Sequence, residues 1–259
     1  MRKYFFSIGA YLSYWLKKED QFSQQSPLVF ELYSKLILFL KENRKGNPEI
    51  EQFRQNLLKD LTPIDVLDLG AGSKKVPEPF RPVAKITRHS TSGIKFAQLY
   101  QYFCGLTPAE NVLELGTCMG ISTRYLAYKT VGQLYTFEGS EEIQKIAQRS
   151  PSPPKTKFIL GPISKMLPSV IESIPSVDFA LIDANHTYEG TLLAFNLMLP
   201  KTHSGTIIAV GDIHWTADME MAWDKIKAHP SVRLTLDFFE CGIILFNFPG
   251  EKTHLVLDI

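Results

Sequence analysis

From residue 111 onward, short apolar runs alternate with helical patterns, and this alternation limits the chain to a parallel sheet with helices on its faces. Strands are expected at 111–115, 133–138, 157–160, 177–183, 206–212, 232–238 and 242–247. The last two runs are close enough for a hairpin, so one antiparallel strand is expected at or near the sheet edge. The expected fold is α/β: a doubly wound, seven-stranded, mostly parallel sheet with a C-terminal antiparallel strand, preceded by an N-terminal helical cap. With 259 residues the chain can bury a large apolar interior without staples.

The residues before this alternation have a different period. Phe5, Ile8, Tyr11, Leu12, Trp15 and Leu16 recur at helical spacing, followed by helical patterns over 28–40 and 50–61. Pro27 and Pro48 stand where helices can begin. Between residues 70 and 92 the chain is rich in Gly, Pro, Ser and Lys, and Pro77, Pro79 and Pro82 argue against a regular helix. Residues 1–92 therefore read as a helical cap with a Gly/Pro-rich lid loop, and residues 93–259, opening with a helix at 94–106, as the main domain.

Met1 to Lys18 starts basic and carries an apolar run, so a secretory signal is the first alternative for it. Ser7, Ser13 and the aromatics interrupt the run, no small-residue cleavage site follows, and Lys17 to Asp20 read as a helix end. No apolar stretch is long enough to span a bilayer. An amphipathic helix resting on a membrane is the rival to a helix docked on the protein's own core. The aromatic content of the cap also makes it a candidate homodimer surface.

The charge balance, 28 basic against 27 acidic groups, argues against nucleic acid as a partner. Cys104, Cys118 and Cys241 are odd in number and lack CxxC spacing, so they read as free thiols in a reducing, cytoplasmic compartment.

The strongest local signal is Val112-Leu113-Glu114-Leu115-Gly116-Thr117-Cys118-Met119-Gly120, an apolar strand ending in an acidic residue and a Gly-x-x-x-Gly turn before a helical run from Ser122. Glycine has no Cβ to block a ligand's approach, so the first βα turn of such a sheet is a natural cofactor site. A nicotinamide site prefers Gly-x-Gly-x-x-Gly, and Cys118 stands at the second Gly position while no third Gly follows. A phosphate loop fails because no Gly-Lys-Ser/Thr is present. About twenty residues on, Tyr135-Thr136-Phe137-Glu138-Gly139-Ser140 ends a second strand in a carboxylate able to accept both hydroxyls of a ribose.

Together these segments resemble the class I S-adenosylmethionine-dependent methyltransferases, a Rossmann-like superfamily. Leu-Glu-Leu-Gly-Thr-Cys-Met-Gly-Ile-Ser-Thr is similar to the branch with catechol-type and bacterial small-molecule O-methyltransferases. The resemblance covers residues 93–248 and implies an enzyme transferring methyl from S-adenosylmethionine to oxygen of a small molecule. It makes Gly116, Thr117, Cys118 and Gly120 the wall against the methionine and ribose, with Ser122 beside them. Glu114 faces the ammonium through water, and Glu138, Gly139 and Ser140 hold the ribose side. Gly161, Pro162 and Ile163 fall beside the adenine, where relatives often have an acidic residue and Ala. The rival readings are a nicotinamide-dependent oxidoreductase and a non-catalytic cofactor- or partner-binding protein on the same fold.

Asp65-Val66-Leu67-Asp68-Leu69-Gly70-Ala71-Gly72 imitates the same motif, but Lys74, Lys75 and prolines follow in place of a helix. It reads as a surface loop, with a lid over the cofactor as the alternative, to which Arg88, His89, Ser90 and Ser92 would contribute. The chemistry is expected after the fourth and fifth strands, at Asp183-Ala184-Asn185-His186 and at Asp212-Ile213-His214-Trp215. Both clusters fall at the carboxyl ends of parallel strands, where open α/β sheets bind ligands. His186 is the preferred general base, because histidine titrates near neutrality. The resemblance also implies candidate roles for Asp183 and Asp212 in holding a divalent metal such as Mg2+, with His214 as a further candidate. Metal-dependent relatives usually follow the second Asp with Asn or Asp, where Ile213 stands here.

Overall fold

The computed structural model describes residues 2–67 and 79–259. The chain opens with three helices, α1 (Arg2–Lys17), α2 (Pro27–Glu42) and α3 (Pro48–Lys59). Ser26 and Asn47 are extended residues whose side chains accept from the first free N–H groups of α2 and α3. Pro27 and Pro48 follow at the first helical positions, where the missing N–H is no loss, as the sequence predicts.

Next come β1 (Pro63–Asp65) and β2 (Phe80–Pro82), paired antiparallel, then the helices α4 (Val83–Ser90) and α5 (Ile94–Cys104). The expected loop reaching residue 92 thus contains a helix. Pro82 is its N-cap, outside the hydrogen-bonded interior, so the ring interrupts nothing. Val83, Ala84, Ile86 and Thr87 are buried on one face, and Val83 and Ile86 share a cluster with Phe53, Leu57 and Ile64. Only Asp65 to Leu67 of the imitation motif, and 79–92 of the expected lid, lie among the described residues.

The main sheet contains β3 (Asn111–Leu115), β4 (Gln133–Glu138), β5 (Thr156–Leu160), β6 (Phe179–Ile182), β7 (Ile207–Gly211), β8 (Leu234–Asp237), β9 (Cys241–Leu245) and β10 (Thr253–Val256). Its order is β10-β8-β9-β7-β6-β3-β4-β5. β9 runs antiparallel to both β7 and β8, inserted between them, and the remaining neighbours are parallel. The seven expected strands are all present, and β10 adds an eighth that covers the β8 edge.

Between the strands lie α6 (Ile121–Ala127), α7 (Glu141–Ala147), α8 (Ile163–Ser173), α9 (Tyr188–Met198) and α10 (Ala217–Ala228). Both sheet faces are covered, and side chains alternate between two apolar layers. Along β6, Phe179 and Leu181 pack with Val29, Tyr33 and Leu36 of α2 and Leu99 and Phe103 of α5. Ala180 and Ile182 face the opposite way, toward Val170 of α8, Phe195 of α9 and Trp223 of α10. Leu113 is 0% exposed, and removing such a side chain from water contributes about 1.5–3 kcal/mol.

The cap helices are built into this core. Val29, Tyr33, Leu36 and Leu40 form one buried stripe of α2 and share the layer beneath β8 with Leu234 and Leu236. Arg124 of α6 lies 3.6 Å over the Phe53 ring of α3 and donates to the Gly120 and Ala147 carbonyls, tying α3 to the turn after β3.

Candidate functional site

β3 and β4 end side by side, and each brings a carboxylate to the same edge. The turn after β3 is fixed by the Gly116 and Thr117 N–H groups, which donate to the Phe137 carbonyl at 3.1 and 3.0 Å. Gly116 has φ +110°, and a Cβ there would stand 2.3 Å from the Asp183 carbonyl oxygen. Only glycine lets this turn cross so close to the end of β6.

Glu138 is clamped from both sides: the Cys118 N–H donates to one oxygen at 2.9 Å and the Ser140 N–H to the other at 3.0 Å. These two N–H groups fix the orientation of the carboxylate at the end of β4. The Gly-x-x-x-Gly turn and the second acidic residue, twenty positions apart in sequence, are therefore directly hydrogen-bonded. Gly161, after β5, donates its N–H to the Glu138 carbonyl at 2.8 Å, which brings Pro162 and half-buried Ile163 to the same edge.

Glu114 is 0% exposed. Thr123 and Thr136 both donate to its Oε2 at 2.6 Å, with the Ser122 hydroxyl alongside, while Oε1 is buried without a hydrogen-bond partner. Thr117 and Thr136 share a further hydroxyl bond of 2.6 Å. Burial pushes the Glu114 carboxyl up to about 7, against the pull of these hydroxyls. A buried acid held above its ordinary value favours the folded state fully below about 4.5, and that contribution is lost as pH rises through about 7. Asp183, raised to about 6, and His214, raised above its ordinary value, release protons over part of the same range, so the contribution of Glu114 between pH 6 and 7.5 is read as a difference from a Glu114 variant. Across it the unfolding free energy should fall by about 1 kcal/mol more in the wild type than in Glu114→Gln, read from denaturant titrations without added ligand. An equal slope in both proteins would place the titrating group elsewhere.

The ends of β6 and β7 supply the second half of the site. The Asp183 N–H donates to the Leu115 carbonyl at 2.9 Å, locking β6 to β3 where the turns begin. Its side chain crosses Gly211, where a Cβ would meet Oδ1 at 2.2 Å. Asp212 is held by its N–H to the Glu240 carbonyl at 2.6 Å. Asn185, His186 and Asp212 all adopt positive φ, at 65°, 45° and 55°. Non-glycine residues keep such conformations at a cost of about 1–3 kcal/mol each, and only where their surroundings fix them. Thr187 and Thr216 do part of that fixing, capping α9 and α10 immediately after the two loops.

The result is one cluster: Asp183, His186 and Asp212 each offer a ligand atom, all within 4.8 Å of one another. His186 Nε2 stands 3.7 Å from Asp212 Oδ2, and its ring meets Trp215 edge-on at 5.4 Å. His186 Nδ1 is buried without a hydrogen-bond partner. Burial raises Asp183 to about 6, with the Asp212 charge adding to the effect and His186 opposing it. Ser92, between α4 and α5, also faces Asp183, whereas Arg88, His89 and Ser90 are exposed at the end of α4.

His214 is placed elsewhere. Its Nε2 bonds Asp237 at 2.8 Å, its Nδ1 lies 3.4 Å from Glu220, and its ring stacks on Phe239 at 5.5 Å. Burial works against its charge, but the Asp237 hydrogen bond, aided by Glu220, raises its pKa above the ordinary value. It therefore belongs to a pair beside the cluster rather than to the cluster. Sequence reasoning also missed Thr123 and Thr136, which hold Glu114, and Tyr100 of α5, which is buried near Cys241, Asp183 and Asp212. Tyr100 lies in an apolar helical run and carried no distinguishing signal.

Residues 113–213, which span this edge from β3 to the β7 loop, match the methyltransferase domain family. The fold matches an O-methyltransferase from Bacillus cereus solved in complex with SAH, at 17% identity over 81% of this chain and 99% of that one, with TM-score 0.54. It also matches the O-methyltransferase TomG from Streptomyces achromogenes, involved in tomaymycin synthesis and solved with SAM, at 14% identity over 62% and 83% of the two chains, TM-score 0.52. A third is an SAH-bound methyltransferase from Podospora anserina, at 15% identity over 61% and 80%, TM-score 0.51. No curated protein sequence matches the chain.

Proposed function

We propose that this chain, a methyltransferase of the class I fold, transfers a methyl group from S-adenosylmethionine to a hydroxyl oxygen of a small molecule. The observation that carries the reading is the clamp on Glu138, whose two oxygens are aimed by the Cys118 and Ser140 N–H groups at the end of β4. The fit to the cofactor is supported by Glu114, whose buried, unpartnered Oε1 suits an ammonium group reached through water.

In this reading Glu138 accepts the ribose hydroxyls, with Gly139 and Ser140 beside it. Gly116, Thr117, Cys118 and Gly120 form the wall along the methionine and ribose, with Ser122 behind them. Ile163 packs on the adenine side. When bound, the cofactor supplies a methyl group on a positively charged sulfur, open to in-line displacement. The protein's remaining tasks are to align the acceptor and to take its proton.

His186 is the group for that proton. Asp212 Oδ2 lies 3.7 Å from its Nε2, and the edge-on contact with Trp215 limits the ring's movement. Asp183 and Asp212 would hold a divalent cation such as Mg2+, which would lower the pKa of the acceptor hydroxyl. The fit rests on two nearby carboxylates, one of them half-buried and held near 6 chiefly by desolvation, which a cation between them would offset. Ile213 supplies no third oxygen, so water would complete the coordination.

The even charge balance favours a small molecule over nucleic acid as acceptor, and free thiols suit a cytoplasmic setting. Among the described residues no helix is long and apolar enough to cross a membrane. Glu138→Ala removes the ribose acceptor without opening the core, so it should weaken S-adenosylhomocysteine binding by about 10- to 100-fold, with a loss of about 1–2 kcal/mol of stability from the Cys118 and Ser140 N–H groups it leaves. Equal binding by variant and wild type, measured by calorimetry, would contradict the ribose assignment.

A further inference from the structure

One buried ion pair of the cap reaches toward the reaction cluster. Arg54 of α3 is 8% exposed and pairs with Glu51 of the same helix at 2.9 Å. Its Nη1 leaves the helix, donating to the Ser92 carbonyl at 2.9 Å and to the Thr91 hydroxyl at 3.1 Å. The Thr91 hydroxyl in turn donates to the Thr87 carbonyl at 2.7 Å, closing the end of α4. One guanidinium therefore holds the short turn between α4 and α5.

That turn carries Ser92, which faces Asp183. The Asp183 side chain also fills the space that a Cβ at Gly211 would take, so its placement depends on close neighbours. Glu51 extends the same ion pair to the cofactor half of the edge. Its Oε1 accepts from the Tyr125 hydroxyl of α6, the helix after the Gly116 turn, at 2.8 Å.

A buried ion pair is a poor stabiliser, because desolvation offsets most of its attraction and apolar residues of similar volume often serve as well. What a guanidinium adds is direction, since its planar fork fixes several acceptors at once. Here those acceptors are Glu51, Thr91 and Ser92. A hydroxyl held against a carboxylate favours the charged form, which is the form that takes a cation. We propose that Arg54 is a positioning residue of the cluster: it sets the turn from which Ser92 orients Asp183 for a divalent cation. This rests on the reading of Asp183 and Asp212 as the cation's ligands.

The test is calorimetric titration of the full chain with Mn2+. The wild type should bind saturably, and Asp212→Ala should abolish that binding. Ser92→Ala should weaken Mn2+ by about tenfold or more at a similar thermal melt, with S-adenosylhomocysteine affinity within about twofold. Arg54→Gln should show the same Mn2+ loss with a lower melt, because Glu51 loses its partner. Arg54→Lys keeps the charge but not the fork, and should fall between wild type and Arg54→Gln. The double variant Arg54→Gln/Ser92→Ala should bind no more weakly than Ser92→Ala, since both changes act on one contact. Wild-type Mn2+ affinity in Ser92→Ala or in either Arg54 variant, or losses that add in the double variant, would overturn the inference and leave the cation site standing. No Mn2+ binding by the wild type, or binding that survives Asp212→Ala, would remove the cation site itself and the inference with it.

Discussion

Replacing His186 with alanine is expected to lower turnover by about two to three orders of magnitude while S-adenosylhomocysteine affinity stays within about twofold. The split follows from geometry. His186 lies on the β6–α9 loop, among Asp183, Asp212 and Trp215, whereas the carboxylates assigned to the cofactor end β3 and β4. Its ring makes no hydrogen bond through Nδ1, so removing it leaves no buried partner unsatisfied there. Its backbone φ of 45° is retained at similar cost by alanine, and the Thr187 cap on α9 is untouched. Transfer to an acceptor that reacts with the wild type, measured with and without added Mg2+, checks this. A variant restored by excess Mg2+ would assign His186 to the metal instead of the proton, and unchanged turnover would remove it from the chemistry.

Gly116→Ala should be strongly destabilising. The added Cβ would lie 2.3 Å from the Asp183 carbonyl oxygen, and both partners are backbone, so neither can rotate away. The residue's φ of +110° also lies where L side chains are strained. We expect about 3 kcal/mol or more of lost stability, since clash and strain add. Cofactor affinity should fall as well, because any relief moves the turn away from Glu138 or β6 away from β3. Gly9→Ala supplies the contrast: that position is helical, has nothing within 4 Å of the new methyl, and should be neutral or gain up to about 1 kcal/mol. Denaturant unfolding of both variants separates the two cases, and similar midpoints would contradict the close crossing of the turn and β6.

Local rules made much of this protein readable. β3 and β4 have the bounds their apolar runs predict, because both faces of each strand are covered and the runs end in polar turns. Pro27 and Pro48 marked the starts of α2 and α3 because position N1 tolerates proline. The placement of Glu114, Glu138, Asp183 and Asp212 on one edge followed from the alternation of strands and helices, since parallel strands put all their carboxyl ends on one side.

What escaped the sequence was decided at long range. α4 was hidden by the proline cluster before it, because only the fold reveals that Pro82 caps a helix instead of breaking one. β10, Thr-His-Leu-Val, is a four-residue edge strand with mixed polarity, and it becomes a strand by pairing with β8. The threonines around Glu114 come from α6 and β4 and have no pattern of their own. His214 and His186 follow strands β7 and β6 in similar contexts, yet Asp237 at the end of β8 draws His214 aside, and no spacing in the sequence announces that pairing.

The central claim is that the β3–β4 edge holds S-adenosylmethionine, and its most direct test is calorimetric titration of the full chain with S-adenosylhomocysteine, with NAD and NADP in parallel. Saturable binding of one S-adenosylhomocysteine per chain, with neither nicotinamide binding, is the predicted result. Binding of a nicotinamide nucleotide alone, or of none of the three, would contradict it.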